Sequence, residues 1–155
     1  MKQVMFVCLG NICRSPAAEA VFQRIVSDHG AEARYHIDSS GTAAYHVGEK
    51  ADARMRQAAA ARGIQITHRG KQLSRADLQS FDRIFCMDRQ NLADARRLAK
   101  TPAEREKIEL YRALDPQGGT EVPDPYYGGA DGFEIVLDIV TRCGEALFAE
   151  LEGEK

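Results

Sequence analysis

Short apolar runs alternate along this chain with segments whose apolar residues recur every three or four positions. The runs of strand length lie at residues 3–9, 35–40, 83–87 and 108–111. The helical periodicity predicts helices or helical turns that begin near residues 15, 52, 74, 88, 101 and 131. This alternation is typical of βαβ units, in which parallel strands are buried on both faces. We therefore predict an α/β fold, a three-layer sandwich whose four-stranded parallel sheet, in the order 2-1-3-4, carries helices on both faces.

Residues with capping and turn chemistry indicate where several elements begin or end. Ser15 and Pro16 fit the N-cap and the first position of the first helix, and Ser74 fits the N-cap of a later one. Three prolines and four glycines between residues 115 and 129 predict a long loop without regular structure. Such loops are usually functional or disordered, and the tyrosine pair in this one favours order. The last helix, from Asp131, has one apolar stripe and should pack on the sheet.

Length and charge narrow the class of protein. The 155 residues suit one domain, and 21 basic against 23 acidic side chains give a net charge of −2, too little positive charge to hold a nucleic-acid backbone. The longest apolar run, residues 4–9, is far shorter than the roughly 20 residues of a membrane helix and does not fit a secretory signal. We expect a single cytoplasmic domain over residues 1–155 that neither binds nucleic acid nor inserts into a membrane.

The decapeptide VCLGNICRSP, residues 7–16, lies where the first strand ends and the first helix begins. Ligands bind to open parallel sheets at this edge, and a helix N-terminus offers unpaired N–H groups to an anion. Gly10 and Asn11 tolerate the backbone dihedrals that turn successive amides towards one point. Cys8 begins the loop and Arg14 ends it, so that the sulfur can face a phosphorus atom while the guanidinium binds two of its oxygens. The same donors stabilise a Cys8 thiolate, the reactive form.

A cysteine followed by an arginine six positions later is by itself a weak pattern. A buried strand cysteine and an arginine at a helix start would give the same spacing. The position between strand and helix, with Gly10, Ser15 and Pro16 each in a suitable place, favours an anion site. The whole decapeptide is more specific. Through it the sequence resembles the low-molecular-weight protein tyrosine phosphatase family, and the likeness extends from Lys2 to about Leu151.

The resemblance implies a flavodoxin-like, phosphotyrosine phosphatase I-like fold. It also implies hydrolysis of phosphotyrosine and small aryl phosphates through a cysteinyl-phosphate intermediate, without a metal or a cofactor. The implied partners are phosphotyrosine-bearing proteins, with inorganic phosphate as the product, and a tyrosine kinase that would modify Tyr126 or Tyr127. Ile12 favours an aromatic substrate, because relatives that act on phosphoarginine tend to carry threonine at this position.

Asp124 is the candidate general acid. An aryl oxide is a poor leaving group whose conjugate acid has a pKa of about 10, so its departure is faster when it is protonated. Asp124 lies between Pro123 and Pro125 in the long loop, where an Asp-Pro pair is more often only a turn initiator. The string DPYY, which begins at Asp124, matches the second signature of the family, and the resemblance assigns the acid role to this residue.

The resemblance assigns further roles by position. Phosphate would be bound by the loop residues Leu9, Gly10, Asn11, Ile12, Cys13, Arg14 and Ser15. The loop would be supported by the polar residues Asn11, Ser15, Ser39 and His68. The substrate slot would be lined by Leu9, Ile12, Tyr45, Tyr126 and Tyr127, which suits a phenyl ring. From the residues alone, Ser39 is more simply a strand end and His68 an exposed loop histidine.

The other cysteines and histidines have plainer expected roles. None of the four cysteines forms a Cys-x-x-Cys pair, so we expect reduced thiols and no metal site. Cys13 either packs against the first helix or, as in similar phosphatases, forms a reversible disulfide with the nucleophile. Cys86 and Cys143 are expected to be buried. The remaining histidines are expected at the surface: His29, His36 and His46.

Two other functions stay open from the sequence. An arsenate reductase on the same fold would use the same loop, but it needs a relay of thiols, and Cys86 and Cys143 each stand alone. A non-catalytic phosphate-binding module would not need a nucleophile, an arginine and an acid together.

Overall fold

The computed structural model describes residues 1–127, 129 and 131–153, with only the backbone of Tyr127. Four parallel strands form one sheet in the order β2-β1-β3-β4. They are β1 (Lys2–Cys8), β2 (Tyr35–Gly41), β3 (Arg83–Cys86) and β4 (Ile108–Leu110). The predicted α/β fold and strand order are confirmed. The fourth strand ends one residue earlier than predicted, because Tyr111 opens a 3-10 turn.

The helices follow the strands on both sides of the sheet. Within the described residues they are α1 (Arg14–Asp28), α2 (Ala53–Ala60), α3 (Arg75–Ser80), α4 (Arg89–Leu98), α5 (Pro102–Glu106) and α6 (Gly132–Gly153). Ser74 and Asp77 form a reciprocal capping box at the start of α3, as expected for these residue types. The long loop contains one short 3-10 segment, Pro125–Tyr127.

Helix α1 begins earlier than its sequence predicts. Its N-cap is Cys13, without a side-chain cap, so Arg14 and Ser15 lie in the first turn and the prediction of Ser15 as N-cap is wrong. The Ser15 hydroxyl is instead turned into the protein, 2.9 Å from the Cys8 sulfur. A serine whose oxygen is used there cannot also cap the helix.

The core lies on both faces of the sheet, because side chains alternate along each buried strand. Val4, Phe6 and Cys8 face the layer that contains α1 and α6, whereas Met5 and Val7 face the opposite layer. Along α6 the predicted apolar stripe is buried at Phe133, Val136, Leu137, Val140, Leu147 and Leu151. None of the helices in the described part of the chain has the length and apolar character needed to cross a bilayer.

Candidate active site

The loop between β1 and α1 is held from outside by backbone hydrogen bonds to its carbonyl groups. Thr42 N donates to Cys8 O at 2.9 Å, Ala43 N to Leu9 O at 3.0 Å, and Asp52 N to Ile12 O at 2.7 Å. In a trans peptide the N–H points opposite to the carbonyl. In each of these three peptides the N–H belongs to the residue that follows Cys8, Leu9 or Ile12, and it therefore points away from the outer segments. These are the N–H groups of Leu9, Gly10 and Cys13.

No acceptor in the described part of the chain binds the backbone N–H groups of residues 9–15. A short loop with several unpartnered donors at a helix N-terminus has the character of an anion site. The close packing of β2 against the loop contributes to its shape. A Cβ on Gly41 would lie 2.6 Å from Leu9 O and 3.1 Å from Asn11 N, so glycine is required there.

Cys8, Arg14 and Asp124 line one cavity of about 130 Å³ at the carboxyl end of β1. Cys8 is only 3% exposed, and its remaining surface is at this cavity. Its sulfur lies 2.9 Å from the Ser15 hydroxyl, which can donate to a thiolate. The sulfur therefore has a hydrogen-bond partner and access to the cavity.

Asn11 supports the loop from behind through four hydrogen bonds. Its amide nitrogen donates to Ser15 Oγ at 2.8 Å and to Ser39 Oγ at 3.1 Å. Its amide oxygen lies 2.7 Å from His68 Nε2 and accepts from Lys71 N at 2.9 Å. The residue has a φ of 58°, in the left-handed region that asparagine tolerates better than most residues. The structure thus brings together the four residues that the resemblance placed in a loop-supporting network.

A buried polar cluster lies behind Asn11. Ser39 Oγ donates to Glu19 Oε1 at 2.7 Å, and His68 Nδ1 lies 3.1 Å from the same oxygen. Asp38 is 3.4 Å from His68 and accepts from Lys71 Nζ at 2.6 Å. The His68 side chain is 10% exposed, so the prediction of an exposed loop histidine, made from the residues alone, is wrong.

Burial determines the charge preferences in this cluster. It raises the pKa of Glu19 to about 7, although the hydrogen bond from Ser39 acts in the opposite direction. It also lowers the pKa of His68, against the charge of Asp38. The three groups Glu19, Asp38 and His68 bring possible metal-ligand atoms within 4.8 Å of one another. These atoms have protein partners in Ser39 and Lys71, which gives the cluster a structural role.

Arg14 is buried and fixed by two acceptors. Its Nη1 donates to Asp88 Oδ2 at 2.8 Å and to the carbonyl of Val122 at 3.0 Å. Burial opposes its charge, but the Cys8 sulfur and Asp88 raise the pKa of Arg14 above its ordinary value. The sequence indicated Asp88 only as a helix cap. Its position just beyond β3, the neighbour of β1, is the signal that could have placed it beside the loop.

The loop that carries Asp124 is attached to the same edge of the sheet. Val122 N donates to Met87 O at 2.8 Å, directly after β3. Asp124 lines the cavity, and its Oδ1 accepts from Tyr126 N at 3.0 Å. The Tyr126 hydroxyl donates to Asp52 Oδ2 at 2.8 Å. Burial and this hydrogen bond raise the pKa of Tyr126, so the hydroxyl stays protonated over the range of ordinary assays.

Aromatic and apolar side chains surround the mouth of the cavity. Tyr45 and Tyr126 are 73% and 44% exposed, and Leu9 and Ile12 of the loop line the same cavity. His46, expected as an ordinary surface residue, also lines the cavity and would lie 2.9 Å from a Cβ on Gly10. A lone histidine in a loop gives no sequence signal for this position. The predicted role of the Tyr127 side chain lies outside the described part of the chain.

Cys13 is also part of the cavity lining and is 5% exposed. Burial and then the charge of Asp52 raise the pKa of its thiol. Cys86 and Cys143 are fully buried, as the sequence predicts. Burial raises the pKa of Cys143 to about 12 and that of Cys86 further. These three thiols are therefore held in their neutral form.

The fold and the site define an α/β protein whose loop between the central strand and the first helix has the character of an anion-binding loop. A family model described as low molecular weight phosphotyrosine protein phosphatase matches residues 3–155. The chain is 44% identical over 147 residues to a chicken protein of that description, covering 94% of this chain and 93% of the relative. This protein therefore belongs to the low molecular weight phosphotyrosine protein phosphatase family.

Solved structures agree with this assignment. A protein tyrosine phosphatase from Entamoeba histolytica superposes with a TM-score of 0.95 at 40% identity, covering 99% of this chain and 98% of that one. A Drosophila arginine phosphatase superposes with a TM-score of 0.90 at 31% identity and covers the whole of both chains. The fold is thus shared by relatives with different named substrates.

Proposed function

We propose that this protein hydrolyses phosphotyrosine and small aryl phosphates through a cysteinyl-phosphate intermediate. The observation that carries the proposal is the presence of Cys8, Arg14 and Asp124 around one cavity, at the end of a loop with unpartnered N–H groups. A nucleophile, a cationic clamp and an acid are the three groups that phosphoryl transfer from an aryl ester to sulfur requires.

In the first step the Cys8 thiolate attacks phosphorus in line with the aryl oxygen. The S–P bond forms while the P–O bond to the aryl group breaks, and the Asp124 carboxyl gives its proton to the leaving oxygen. Arg14 and the N–H groups of residues 9–15 hold the three equatorial oxygens, where charge is spread in the transition state. Asp88 and Val122 hold the guanidinium in place, so little reorganisation is needed.

In the second step water attacks phosphorus from the side that the aryl group has left. The O–P bond forms, the S–P bond breaks, and the Asp124 carboxylate takes a proton from the water. Inorganic phosphate leaves and the thiolate is regenerated. The Ser15 hydroxyl, 2.9 Å from the sulfur, stabilises the departing thiolate by donating to it.

The shape of the cavity favours an aromatic ester. Tyr45 and Tyr126 stand at its mouth with Leu9 and Ile12, so a phenyl ring would contact apolar surface while its phosphate reaches Cys8. Phosphoarginine is the substrate class to compare, because the Drosophila relative is named an arginine phosphatase. We infer that Ile12, an aliphatic residue at the loop, selects the aryl ester.

Phosphotyrosine-bearing proteins are then the partners, and the partly exposed Tyr126 is a site at which a tyrosine kinase would act.

Cys13 gives the site a protective reaction with peroxide. Peroxide oxidises the Cys8 thiolate to a sulfenic acid and is itself reduced to water, and the Cys13 thiol then attacks the sulfur with loss of a second water. The resulting Cys8–Cys13 disulfide is reversible by thiols. Both cysteines line the same cavity, which supports this pairing.

An arsenate reductase is disfavoured by the remaining thiols. Such an enzyme passes oxidation from one cysteine to the next, but Cys86 and Cys143 are fully buried and their pKa values are raised. Unlike Cys13, neither of these two residues lines the catalytic cavity, so neither thiol is placed to react with an oxidised Cys8.

Kinetic measurement with the wild type and Cys8→Ser tests the proposed function. The substrates are para-nitrophenyl phosphate, a phosphotyrosine peptide and a phosphoarginine peptide, with thiol-dependent arsenate reduction assayed in parallel. We expect hydrolysis of the two aryl esters, little hydrolysis of phosphoarginine, no arsenate reduction, and no turnover by Cys8→Ser, which still binds phosphate. Arsenate reduction without ester hydrolysis, or full activity in Cys8→Ser, would overturn the proposal.

A further inference from the structure

A second cavity, of about 660 Å³, adjoins the catalytic one. Tyr126 lines both, so its ring forms a shared wall. The second cavity is also lined by Arg54, Phe133 and Glu134. A peptide whose phosphotyrosine enters the catalytic cavity must leave it past this wall. Since an extended chain spans about 3.5 Å per residue, one or two neighbouring residues reach across the ring.

Arg54 is fixed at the boundary between the two cavities. Its guanidinium carbon lies 5.0 Å from the ring centre of Tyr126 and 4.9 Å from that of Phe133. Its Nε and Nη2 donate to the Asp52 carboxylate at 3.3 and 3.2 Å. The side chain is nevertheless 57% exposed. An arginine restrained in this way loses little conformational freedom when it binds a further acceptor.

The charges around the second cavity leave Arg54 available to an anion. Within the described residues no acceptor is bound to its Nη1. The Asp52 carboxylate also accepts from the Tyr126 hydroxyl and from Arg54 N. Glu134, the carboxylate of this cavity, is paired with Arg62 at 2.7 Å. The free edge of the guanidinium is thus complementary to a carboxylate.

We propose that the cavity lined by Arg54 is a subsite for the substrate peptide, and that Arg54 binds an aspartate or glutamate within two positions of the phosphotyrosine. This inference rests on the proposed function, because it takes the phosphotyrosine to lie in the catalytic cavity. Two observations favour an acidic peptide residue in this cavity. Tyr126 lines both cavities, and the Arg54 guanidinium is exposed and held in position. An apolar or basic flanking residue gains nothing from the free guanidinium edge.

Binding of non-hydrolysable peptides tests the subsite without turnover. The peptides carry difluorophosphonomethyl-phenylalanine in place of phosphotyrosine, with Asp, Asn or Lys at one position from −2 to +2, and fluorescence polarisation gives Kd. We expect the wild type to bind the best aspartate peptide about two- to fivefold more tightly than its asparagine partner at low salt, the range of an exposed ion pair, and less so at high salt.

Variants at Arg54 identify the cation. Arg54→Gln should remove the preference for aspartate, Arg54→Glu should reverse it in favour of lysine, and Arg54→Lys should retain it. Arg97→Gln, which removes an exposed arginine of α4, is the matched control and should retain it. Thermal melts confirm folding. Equal affinity for the Asp and Asn peptides at every position, or a preference unchanged in Arg54→Gln and Arg54→Glu, would overturn the subsite. If the wild type prefers the Asp peptide but shows no hydrolysis that depends on Cys8, the proposed function is refuted and the subsite is retained.

Discussion

The Tyr126 hydroxyl donates a 2.8 Å hydrogen bond to Asp52 Oδ2, across 74 positions of sequence. Asp52 is also the N-cap of α2, and its backbone N–H donates to Ile12 O in the loop between β1 and α1. One residue therefore connects the loop, a helix start and the aromatic wall of the cavity. Because the backbone of Tyr126 in turn binds Asp124, the wall and the proposed acid are positioned together.

Removing the Tyr126 hydroxyl tests this connection. We expect Tyr126→Phe to raise the KM for para-nitrophenyl phosphate about three- to tenfold, the equivalent of the typical net contribution of one hydrogen bond. Asp52→Asn keeps the helix cap but weakens the same bond, so adding Tyr126→Phe to it should have a much smaller effect. Additive effects of the two substitutions on KM would show that the bond does not position the ring.

Replacing the proposed acid should make the rate depend on the leaving group. In Asp124→Asn we expect kcat/KM, which reports phosphoryl transfer from the ester to Cys8, to fall about 100-fold or more with phenyl phosphate, within the range for general acid catalysis. With 2,4-dinitrophenyl phosphate, whose leaving group needs no proton, the loss should be below about tenfold. Rates on the two esters are compared for both proteins, and an equal loss would remove the acid role from Asp124.

Asn11 combines an unusual backbone conformation with four hydrogen bonds, and two substitutions separate these contributions. Asn11→Gly loses the hydrogen bonds but adopts the positive φ without strain, whereas Asn11→Ala loses the bonds and is strained at the same φ. We expect both to lower kcat/KM, and alanine to be less stable than glycine by about 1–2 kcal/mol, the strain of a left-handed residue with a Cβ. Urea unfolding measures the difference. Equal stability would show that the loop relaxes to another conformation.

Gly41 is predicted to be intolerant of any side chain. A Cβ there would meet two backbone atoms of the loop, which cannot move without distorting the anion site. Gly41→Ala should cost about 1–3 kcal/mol of stability, as overpacking does, and reduce kcat/KM by more than tenfold. Gly153→Ala, where a Cβ meets nothing within 4 Å, is the control and should leave both unchanged. Thermal melts and kinetics of the two variants distinguish the outcomes.

The thiols should differ sharply in reactivity. Cys13, Cys86 and Cys143 are buried with raised pKa values, so at pH 7 they are neutral. Cys8 faces Arg14 and the loop N–H groups in the cavity and should be alkylated first by iodoacetamide. Inorganic phosphate should slow this reaction. Peptide mass spectrometry over time reports the order, and earlier labelling of Cys13 would contradict the assignment of the nucleophile.

The apolar pattern predicted the strands of the sheet and the position of the loop, and the topology typical of doubly wound folds predicted the strand order. Buried strands of a parallel sheet need continuous apolar runs, and the run in β1 leads directly into the loop motif, so these features are local in sequence. Cys8 and Arg14 were predicted from the loop string at the end of β1, whereas the acid role of Asp124 was predicted from the resemblance of the string DPYY to the family. The start of α1 was predicted wrongly because Ser15 was assigned as the N-cap from its residue type alone. In the structure its hydroxyl contacts the Cys8 sulfur instead.

Only the tertiary structure decided which distant groups complete the site. Asp88 binds Arg14 across 74 positions, and His68 binds Asn11 across 57. His46 lines the catalytic cavity and Arg54 the second one, and Asp52 binds the side chain of Tyr126 between them. No sequence motif indicated these roles. Such pairings depend on how strand ends meet at one edge of the sheet and on which loop carbonyls are bound from outside. The chain therefore specified its reactive groups locally, whereas folding alone determined their distances, charges and partners.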